Sequence, residues 1–418
     1  MELRSLEGMG RERLVRQAAV ALQGTEAWVT GGYVRDWALG RPSADLDLSA
    51  VGDADALAPA ARALGAGLGR RPHLLGRPPR AVWRIETDEL TVELWPLGTL
   101  SLDEDAHRRD FTCNALLWRL PDGPLVDRVR GWDDLARGRL RAVHRGNLER
   151  DPVRCVRGAR FLAELDRFDL DPSTRRWIGE LAPIVARAPR ERVGAELGKL
   201  LSAPGITRGL VALLSLHLLG PAAPPAARPD EDWLRDNLAA ATLLAHPRRH
   251  PVSGAARVAG PKARLGLLLS AWGVDSAAEI APYAWPRSDR DDALAARHQA
   301  PLLLHDRDAP AADLRERIHD AGRAFPAVLA LAAALDPGPS WRRWWRLWRR
   351  RGEALLETRP LLPAEEVASL CRLSQGPKLG EALRALVHAQ VRGDVRTAEG
   401  ARRWLRRRSG ALANCTET

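Results

Sequence analysis

The segment GGYVRDWALGRPSADLDLS, residues 31–49, decides the fold. The preceding AWVT predicts a short strand, the two glycines predict a turn, and YVRDWALG predicts a short helix that ends at Gly40. A second strand is predicted over DLDLS. Because side chains alternate along a strand, Asp45 and Asp47 lie on one face while the intervening leucines point into the core. The segment therefore predicts a strand–turn–helix–strand unit that presents two carboxylates close to a glycine turn.

Paired carboxylates and a glycine turn together indicate a chemistry. Two carboxylates on one face repel each other unless a cation lies between them, and Mg²⁺ completed by substrate phosphates is the usual solution. The Gly31–Gly32 turn leads into a helix N-terminus whose free N–H groups suit a phosphate, and Arg35 adds a charged donor. The pattern predicts nucleotidyl transfer, with Asp45 and Asp47 as catalytic metal ligands. The alternative is a solvated acidic strand edge after an ordinary turn.

Composition narrows the class of protein. The chain has 418 residues, of which 45% are hydrophobic, so it is long enough to fold around more than one core. No uninterrupted apolar run reaches the ~18 residues of a membrane span, and the N-terminal segment has no apolar signal sequence. The four cysteines are far apart and form no CxxC pair, which argues against structural zinc or a disulfide framework: Cys113, Cys155, Cys371 and Cys415. We expect a cytoplasmic protein without membrane association.

The charge predicts a polyanionic partner. The formal net charge is +11, and only three of the 64 basic residues are lysines. Arginine offers planar, bidentate donors to phosphate, so a basic, arginine-rich chain indicates nucleic acid. Codon bias in a GC-rich genome is an alternative cause of the preference for arginine, but it explains the net excess less well.

A third carboxylate is predicted in the segment LTVELW. Glu93 lies there in the middle of a predicted strand among apolar residues, where a charge without a partner is costly. We expect Glu93 to assist the metal-binding pair. The alternative is that Thr91 and Glu93 form the solvated face of an edge strand.

The sequence resembles the class II tRNA nucleotidyltransferases, which comprise the CCA-adding enzymes and the bacterial poly(A) polymerases. The resemblance rests on residues 31–49 and on four further motifs in family order, and it covers most of the chain. These motifs are HRRDFTCNALLW (107–118), RDPVRCVRGARFLAEL (150–165), RERVGAELGKLL (190–201) and the C-terminal stretch 360–401. The resemblance implies an α/β nucleotidyltransferase head of the polymerase-β type with a mixed sheet and helices (1–140). An all-α neck (141–220), body (221–357) and tRNA-binding tail (358–418) follow.

The resemblance also implies a reaction and its site. Such enzymes add CTP, and in many cases ATP, to the 3′ end of tRNA without a template, using two Mg²⁺ ions held here by Asp45 and Asp47. In RRDFT, Arg109 would contact the triphosphate and Asp110 the ribose hydroxyls, although an isolated Asp110 also fits a helix N-cap. A poly(A) polymerase with the same head and a catalytically silent RNA-binding protein are the alternatives. The intact Asp45–Asp47 pair argues against a protein without catalytic activity.

A helix after the head would select the base. Asp151, Arg154, Arg157 and Arg160 recur at every third residue and form one stripe. Cytosine and adenine both carry an amino donor next to a ring-nitrogen acceptor, which a carboxylate and a guanidinium can pair with, and Asp151 with Arg154 supplies these groups. Arg157 and Arg160 would then contact phosphate or brace the pair. The alternative is an Asp N-cap followed by solvated arginines.

One departure from the family pattern concerns the segment WPLGTLSLDEDAH. Members that add the full CCA have a longer, mobile connection between the third-carboxylate strand and RRDFT, and a short connection resembles enzymes that add only the two cytidines. We therefore expect efficient addition of CC and poor addition of A. The alternative is that the glycine-rich segment 64–79 performs the change of preference from C to A.

Overall fold

The computed structural model describes residues 3–77 and 81–413. The last residues of the glycine-rich segment 64–79 and Cys415 lie outside this part of the chain. Cys113, Cys155 and Cys371 are buried free thiols.

The head contains a seven-stranded sheet with six pairs of neighbouring strands. Its strands are β1 Ala27–Thr30, β2 Asp45–Ala50, β3 His73–Leu75, β4 Val82–Glu86, β5 Thr91–Pro96, β6 Leu116–Arg119 and β7 Leu125–Asp127. The order across the sheet is β3-β4-β5-β2-β1-β6-β7. Only the β2–β5 pair is parallel, and the other five pairs are antiparallel. The predicted mixed sheet is confirmed.

Helices connect these strands. They are α1 Arg13–Ala21, α2 Gly32–Ala38, α3 Ala58–Gly67, α4 Leu102–Arg108 and α5 Gly131–Arg137, with 3₁₀ helices at Leu6–Arg11 and Thr112–Asn114. The predicted unit around residues 27–50 is present as β1, α2 and β2. Leu46 and Leu48 are fully buried in the core, whereas Asp45 is exposed and Asp47 is half-buried, as the alternation of a strand requires.

The chain divides into two compact units. The first comprises Met1–Glu196 and Ala212–Ala222, and the second comprises Leu197–Val211 and Ala223–Thr418. Beyond the head, the first unit contains α6 Arg145–Arg150, α7 Val153–Glu164, α8 Pro172–Leu181, the 3₁₀ helix Ala182–Arg187 and α11 Leu219–Ala222. It also contains a two-stranded parallel sheet of β8 Arg139–Leu140 and β9 Asp169–Leu170. The segment 141–220 is therefore helical except for β9.

Two helices contribute residues to both units, namely α9 Arg190–Ser202 and α10 Ile206–Ser215. The described part of the second unit is otherwise helical. Its helices are α12 Glu231–Asp236, α13 Leu238–Ala245, α14 Ser253–Trp272, α15 Ala277–Ile280, α16 Arg287–His305, α17 Ala311–Ala321, α18 Phe325–Leu335, α19 Trp341–Leu356, α20 Ala364–Cys371, α21 Pro377–Arg392 and α22 Ala398–Ala413, with 3₁₀ helices at Ala281–Tyr283 and Gly322–Ala324. This agrees with the predicted helical remainder.

One helical run in the second unit passes a length-and-composition test for a membrane span. Ala311–Leu335 is long and apolar enough, and 72% of its most apolar window is buried inside the protein. Core helices of soluble proteins pass the same test. The sequence analysis missed this run because charged residues interrupt it, including Asp320 and Arg323 within its more apolar C-terminal part.

Candidate active site

A row of charged side chains crosses the middle of the head sheet. Asp47 on β2 lies opposite Glu93 on the parallel strand β5, and Glu93 lies opposite Arg84 on β4. Asp45 lies two residues before Asp47 on β2 and therefore shares its face. β5 is an interior strand between β4 and β2. The alternative of a solvated edge strand for Glu93 is therefore wrong.

Asp47 has a strongly perturbed carboxyl group. Burial raises its pKa to about 6, and the neighbouring charges of Glu93 and Asp45 add to the rise, while Arg109 and Arg35 oppose it. An ionised carboxylate in this position gains from a nearby cation, since a positive charge offsets both its burial and its repulsion from two carboxylates. The oxygen donors of Asp45 and Asp47 therefore fit a hard divalent cation such as Mg²⁺.

Glu93 is already bound by protein donors. Its Oε1 accepts hydrogen bonds from Arg84 Nε at 2.9 Å and from Arg84 Nη2, and its Oε2 accepts one from Trp95 Nε1 at 3.1 Å. Within residues 3–77 and 81–413, no group of three or more His, Cys, Asp or Glu side chains is arranged to hold a metal ion. Asp45 and Asp47 are thus the two candidate ligands, and Glu93 stands beside them neutralised by Arg84.

The glycine turn lies against these carboxylates. Gly31 has φ +67° and ψ −134°, a backbone conformation that favours glycine. A Cβ atom at Gly31 would stand 2.9 Å from Asp47 Oδ2 and 3.3 Å from Arg109 Nη1. The absence of a side chain therefore keeps the backbone, the metal-ligand candidate and the arginine in close contact. Gly32 follows as the first residue of α2, whose N-terminus receives no side-chain cap.

Arg35 is placed differently from the predicted phosphate ligand. Its side chain is buried, and its Nε and Nη2 donate to both oxygens of Asp36 at 3.0 and 2.7 Å. Its Nη1 donates to Asn114 Oδ1 at 2.6 Å. All three guanidinium nitrogens therefore donate to groups inside the protein, because Nε and Nη2 form a bidentate pair with the adjacent carboxylate of Asp36 and Nη1 binds Asn114. Arg35 braces α2 against the segment after RRDFT.

Arg109 lies next to the carboxylates. Its Nε and Nη2 donate to Asp105 Oδ2 at 3.2 and 2.8 Å, and Nη2 also reaches Ser49 Oγ at 3.4 Å. Its side chain is 20% exposed. Its Nη1 donates to the Asn114 carbonyl oxygen at 3.4 Å, a long contact that a phosphate oxygen could replace. Contact of Arg109 with the nucleotide stays a prediction.

Asp110 is the centre of a buried network. Burial alone would raise its pKa, but the charge of Arg157 and hydrogen bonds from Asn114 and the Phe111 N–H outweigh burial and lower the pKa to about 2. Arg157 Nη1 donates to Asp110 Oδ2 at 3.0 Å, and Asn114 Nδ2 donates to Oδ1 at 3.0 Å. The helix-cap alternative is wrong, since the 3₁₀ helix that follows receives no side-chain cap. Its contact with ribose stays a prediction.

The predicted base-reading residues occupy the start and one side of α7. Asp151 lies between α6 and α7, and its Oδ2 stands 3.6 Å from Arg154 Nε. Arg154 is anchored by a hydrogen bond from its Nη1 to the Arg108 carbonyl oxygen at 2.9 Å. The residue before α7 is Pro152, and no side chain caps the helix, so the N-cap alternative for Asp151 is wrong.

Arg157 and Arg160 are not solvated. Arg157 bridges Asp110 and Glu196, at 3.0 and 2.8 Å, and Arg160 Nε lies 3.1 Å from Glu196 Oε2. Of the two predicted roles, the structure therefore favours bracing over phosphate contact. The sequence analysis missed Glu196, as it missed Arg84 and Asn114, because these partners are distant in the chain and no spacing connects them.

A mixed sheet that presents paired carboxylates beside a glycine turn defines the class of nucleotidyltransferases, and comparison with known proteins agrees. Residues 80–141 match a family model described as "Poly A polymerase head domain", and residues 167–228 match one described as "Probable RNA and SrmB- binding site of polymerase A".

Relatives match over nearly their whole length. The chain is 33% identical to the A-adding tRNA nucleotidyltransferase of Deinococcus radiodurans, over 91% of this chain and 95% of that protein. It is also 33% identical to the CC-adding tRNA nucleotidyltransferase of Thermus thermophilus, over 91% and 93%. The crystal structure of the Bacillus stearothermophilus CCA-adding enzyme in complex with CTP superposes with a TM-score of 0.72 at 25% identity, covering 97% of this chain and 100% of that chain. The chain belongs to the tRNA nucleotidyltransferase family.

Proposed function

We propose that this chain adds cytidines from CTP to the 3′ end of tRNA without a template and stops after the second. Template-independent addition to tRNA 3′ ends is the activity of its family. The choice among CCA, CC and A is the finer question, since the two relatives above add different nucleotides. The observation that carries the proposal is the connection between β5 and α4.

This connection is short and fixed at both ends. It comprises the five residues 97–101. The N–H groups of Leu97 and Gly98 donate to the carbonyl oxygens of Ala50 and Gly52 at 2.8 and 2.9 Å, and the Leu97 side chain is buried in the core. At the other end, Ser101 and Glu104 form a reciprocal capping box that fixes the start of α4.

A fixed connection limits the choice of base. Asp151 and Arg154 can pair with either cytosine or adenine, so a change from C to A requires another element to move and make room for the purine. In this chain the segment beside the head sheet has no free length with which to move. The fixed connection therefore supports addition of C alone.

The chain's own residues suit a metal-assisted transfer. Asp45 and Asp47 would hold Mg²⁺, which stabilises charge on the α-phosphate and activates the RNA 3′-hydroxyl. Gly31 and Gly32 leave room for the triphosphate beside Asp47, and Arg109 is placed to donate to it. Asp110 would meet the ribose, held in its ionised form by Arg157 and Asn114.

The proposed partners follow from charge and family. The net charge of +11 favours tRNA phosphates, in the cytoplasm where tRNA is processed. In solved structures, the Thermotoga maritima CCA-adding enzyme is complexed with tRNA, and its TM-score with this chain is 0.67 at 19% identity.

Sequencing the 3′ ends of extended tRNA tests the extent of addition. A transcript that lacks CCA is incubated with CTP and ATP together, and we expect products that end in CC, because the fixed connection 97–101 leaves no length to make room for adenine. A parallel reaction offers ATP to a transcript that already ends in CC. Products that finish mostly in CCA would contradict the proposal. Single A addition to the CC transcript would assign the chain the reaction of its A-adding relative, and long A tails would assign it polyadenylation.

A further inference from the structure

The base-reading carboxylate has a second arginine partner that comes from another helix. Arg192, in the first turn of α9, donates from Nη2 to Asp151 Oδ2 at 2.7 Å. This contact is shorter than the 3.6 Å between Asp151 Oδ2 and Arg154 Nε. The Asp151 carboxylate is therefore held more closely by Arg192 of α9 than by Arg154 of α7.

α9 forms ion pairs at two positions along its length, one with Asp151 just before α7 and one with arginines of α7. One turn after Arg192, Glu196 lies on the same side of α9 and pairs with Arg157 and Arg160 of α7. Arg192 of α9 thus pairs with Asp151, and Glu196 of α9 pairs with Arg157 and Arg160. This arrangement fixes the rotation of α7 about its axis as well as the orientation of the Asp151 carboxylate.

The contact leaves one carboxylate oxygen open. Arg154 and Arg192 both contact Oδ2 of Asp151, and Oδ1 accepts no hydrogen bond from any residue that the structure describes. Asp151 is 23% exposed, so Oδ1 can reach a ligand. A carboxylate oxygen accepts but cannot donate, so it suits the exocyclic amino group of cytosine and opposes the carbonyl oxygen that uracil presents in its place.

The ion pair between Arg192 and Asp151 contributes little to the stability of the fold. Arg192 is 50% exposed, and ion pairs with that much solvent contact contribute only about 0–1 kcal/mol to folding. Orientation of Asp151 is the property that the contact changes most, because without Arg192 only the longer contact with Arg154 restrains rotation of the carboxylate about χ2.

We propose that Arg192 is a positioning residue for base selection: it holds Asp151 Oδ2 so that Oδ1 faces the amino group of the incoming nucleotide. Arg192 acts through Asp151 and does not itself contact the base. The inference rests on the proposed function, since it concerns the choice of CTP by the same site.

Substitution of Arg192 separates orientation from packing. In Arg192→Ala, we expect the ratio of kcat/KM for CTP to that for UTP to fall about tenfold, because the loss affects only bases that donate to Asp151. Arg192→Lys should restore part of the ratio, since an ammonium still pairs with Oδ2. Arg176→Ala is the matched control: Arg176 is 67% exposed and pairs with Glu180 on α8, and its loss should leave the ratio unchanged.

A double-mutant cycle completes the test. In an Asp151→Ala background, Arg192→Ala should cause no further change in the ratio, because the positioned group is gone. CTP binding to catalytically inactive Asp47→Asn protein, with and without Arg192→Ala, provides a readout that does not need turnover. An equal loss for CTP and UTP, or an unchanged ratio with normal CTP incorporation, would overturn the role of Arg192 and leave the proposed function intact. Failure of the unsubstituted protein to incorporate CTP would overturn both.

Discussion

Asp47→Asn is expected to abolish nucleotide incorporation and to make the protein more stable. Turnover should fall by about 10³-fold or more, because the substitution removes a negative ligand from the candidate metal pair at the point where charge develops. Asp45→Asn should cause a loss of similar size. Binding of tRNA, measured by gel shift, should change little in either variant.

The stability gain has a defined pH dependence. The folded-state pKa of Asp47 is raised to about 6 from 3.8, so the folded protein binds this proton more tightly than the unfolded chain. Ionisation therefore costs stability as pH rises from about 4 through 6, and the full cost is present above that range. In metal-free buffer at pH 8, Asp47→Asn should be more stable by roughly 1–3 kcal/mol, and the difference should vanish below about pH 4. Denaturant unfolding at both pH values measures it, and a less stable variant at pH 8 would contradict the raised pKa.

Gly31→Ala is expected to reduce turnover by about 10²-fold, through displacement rather than loss of a catalytic group. The new Cβ would lie 2.9 Å from Asp47 Oδ2, closer than carbon and oxygen atoms approach, so the Asp47 carboxylate must shift. The Cβ would also lie 3.3 Å from Arg109 Nη1, which is a tight contact. The backbone at Gly31, with φ +67° and ψ −134°, also strains any residue other than glycine, by roughly 1–3 kcal/mol.

The chain offers a matched control for that strain. Gly40 has the same φ of +67°, and a Cβ there would meet no atom within 4 Å. Gly40→Ala should therefore lower the unfolding temperature through its positive φ, while leaving turnover within about threefold of the original. Equal losses of turnover in the two variants would show that strain, not contact with Asp47, determines the effect.

Local pattern predicted the strand that carries Asp45 and Asp47 well and its neighbours less well. The alternation of Asp45 and Asp47 with buried leucines is a property of one strand, so it could be read before any fold was known. Glu93 was recognised as a charge that needs a partner, but Arg84 could not be identified, because it reaches Glu93 only after β4 and β5 pair. The same reasoning explains why the edge-strand alternative for Glu93 was wrong.

The roles of the arginines depended on partners that local sequence does not reveal. Arg35 was predicted to contact phosphate, yet both of its outer nitrogens and Nε are taken by Asp36 and Asn114. Arg157 and Arg160 were predicted either to contact phosphate or to brace the pair, and their ion pairs with Glu196 favour bracing, which stays a prediction. Each decision depends on how α7 and α9 pack, which spacing along one helix cannot predict.

The most direct test of nucleotide addition uses tRNA that ends before its CCA sequence and each of the four nucleoside triphosphates, labelled at the α-phosphate, in separate reactions. The Asp47→Asn protein serves as the control for contaminating activity. We predict that label from CTP enters the tRNA in a Mg²⁺-dependent reaction, at two residues per molecule, and that UTP and GTP contribute almost none. Absence of label from CTP, or incorporation that the Asp47→Asn protein matches, would contradict the assignment of this chain as a cytidine-adding tRNA nucleotidyltransferase.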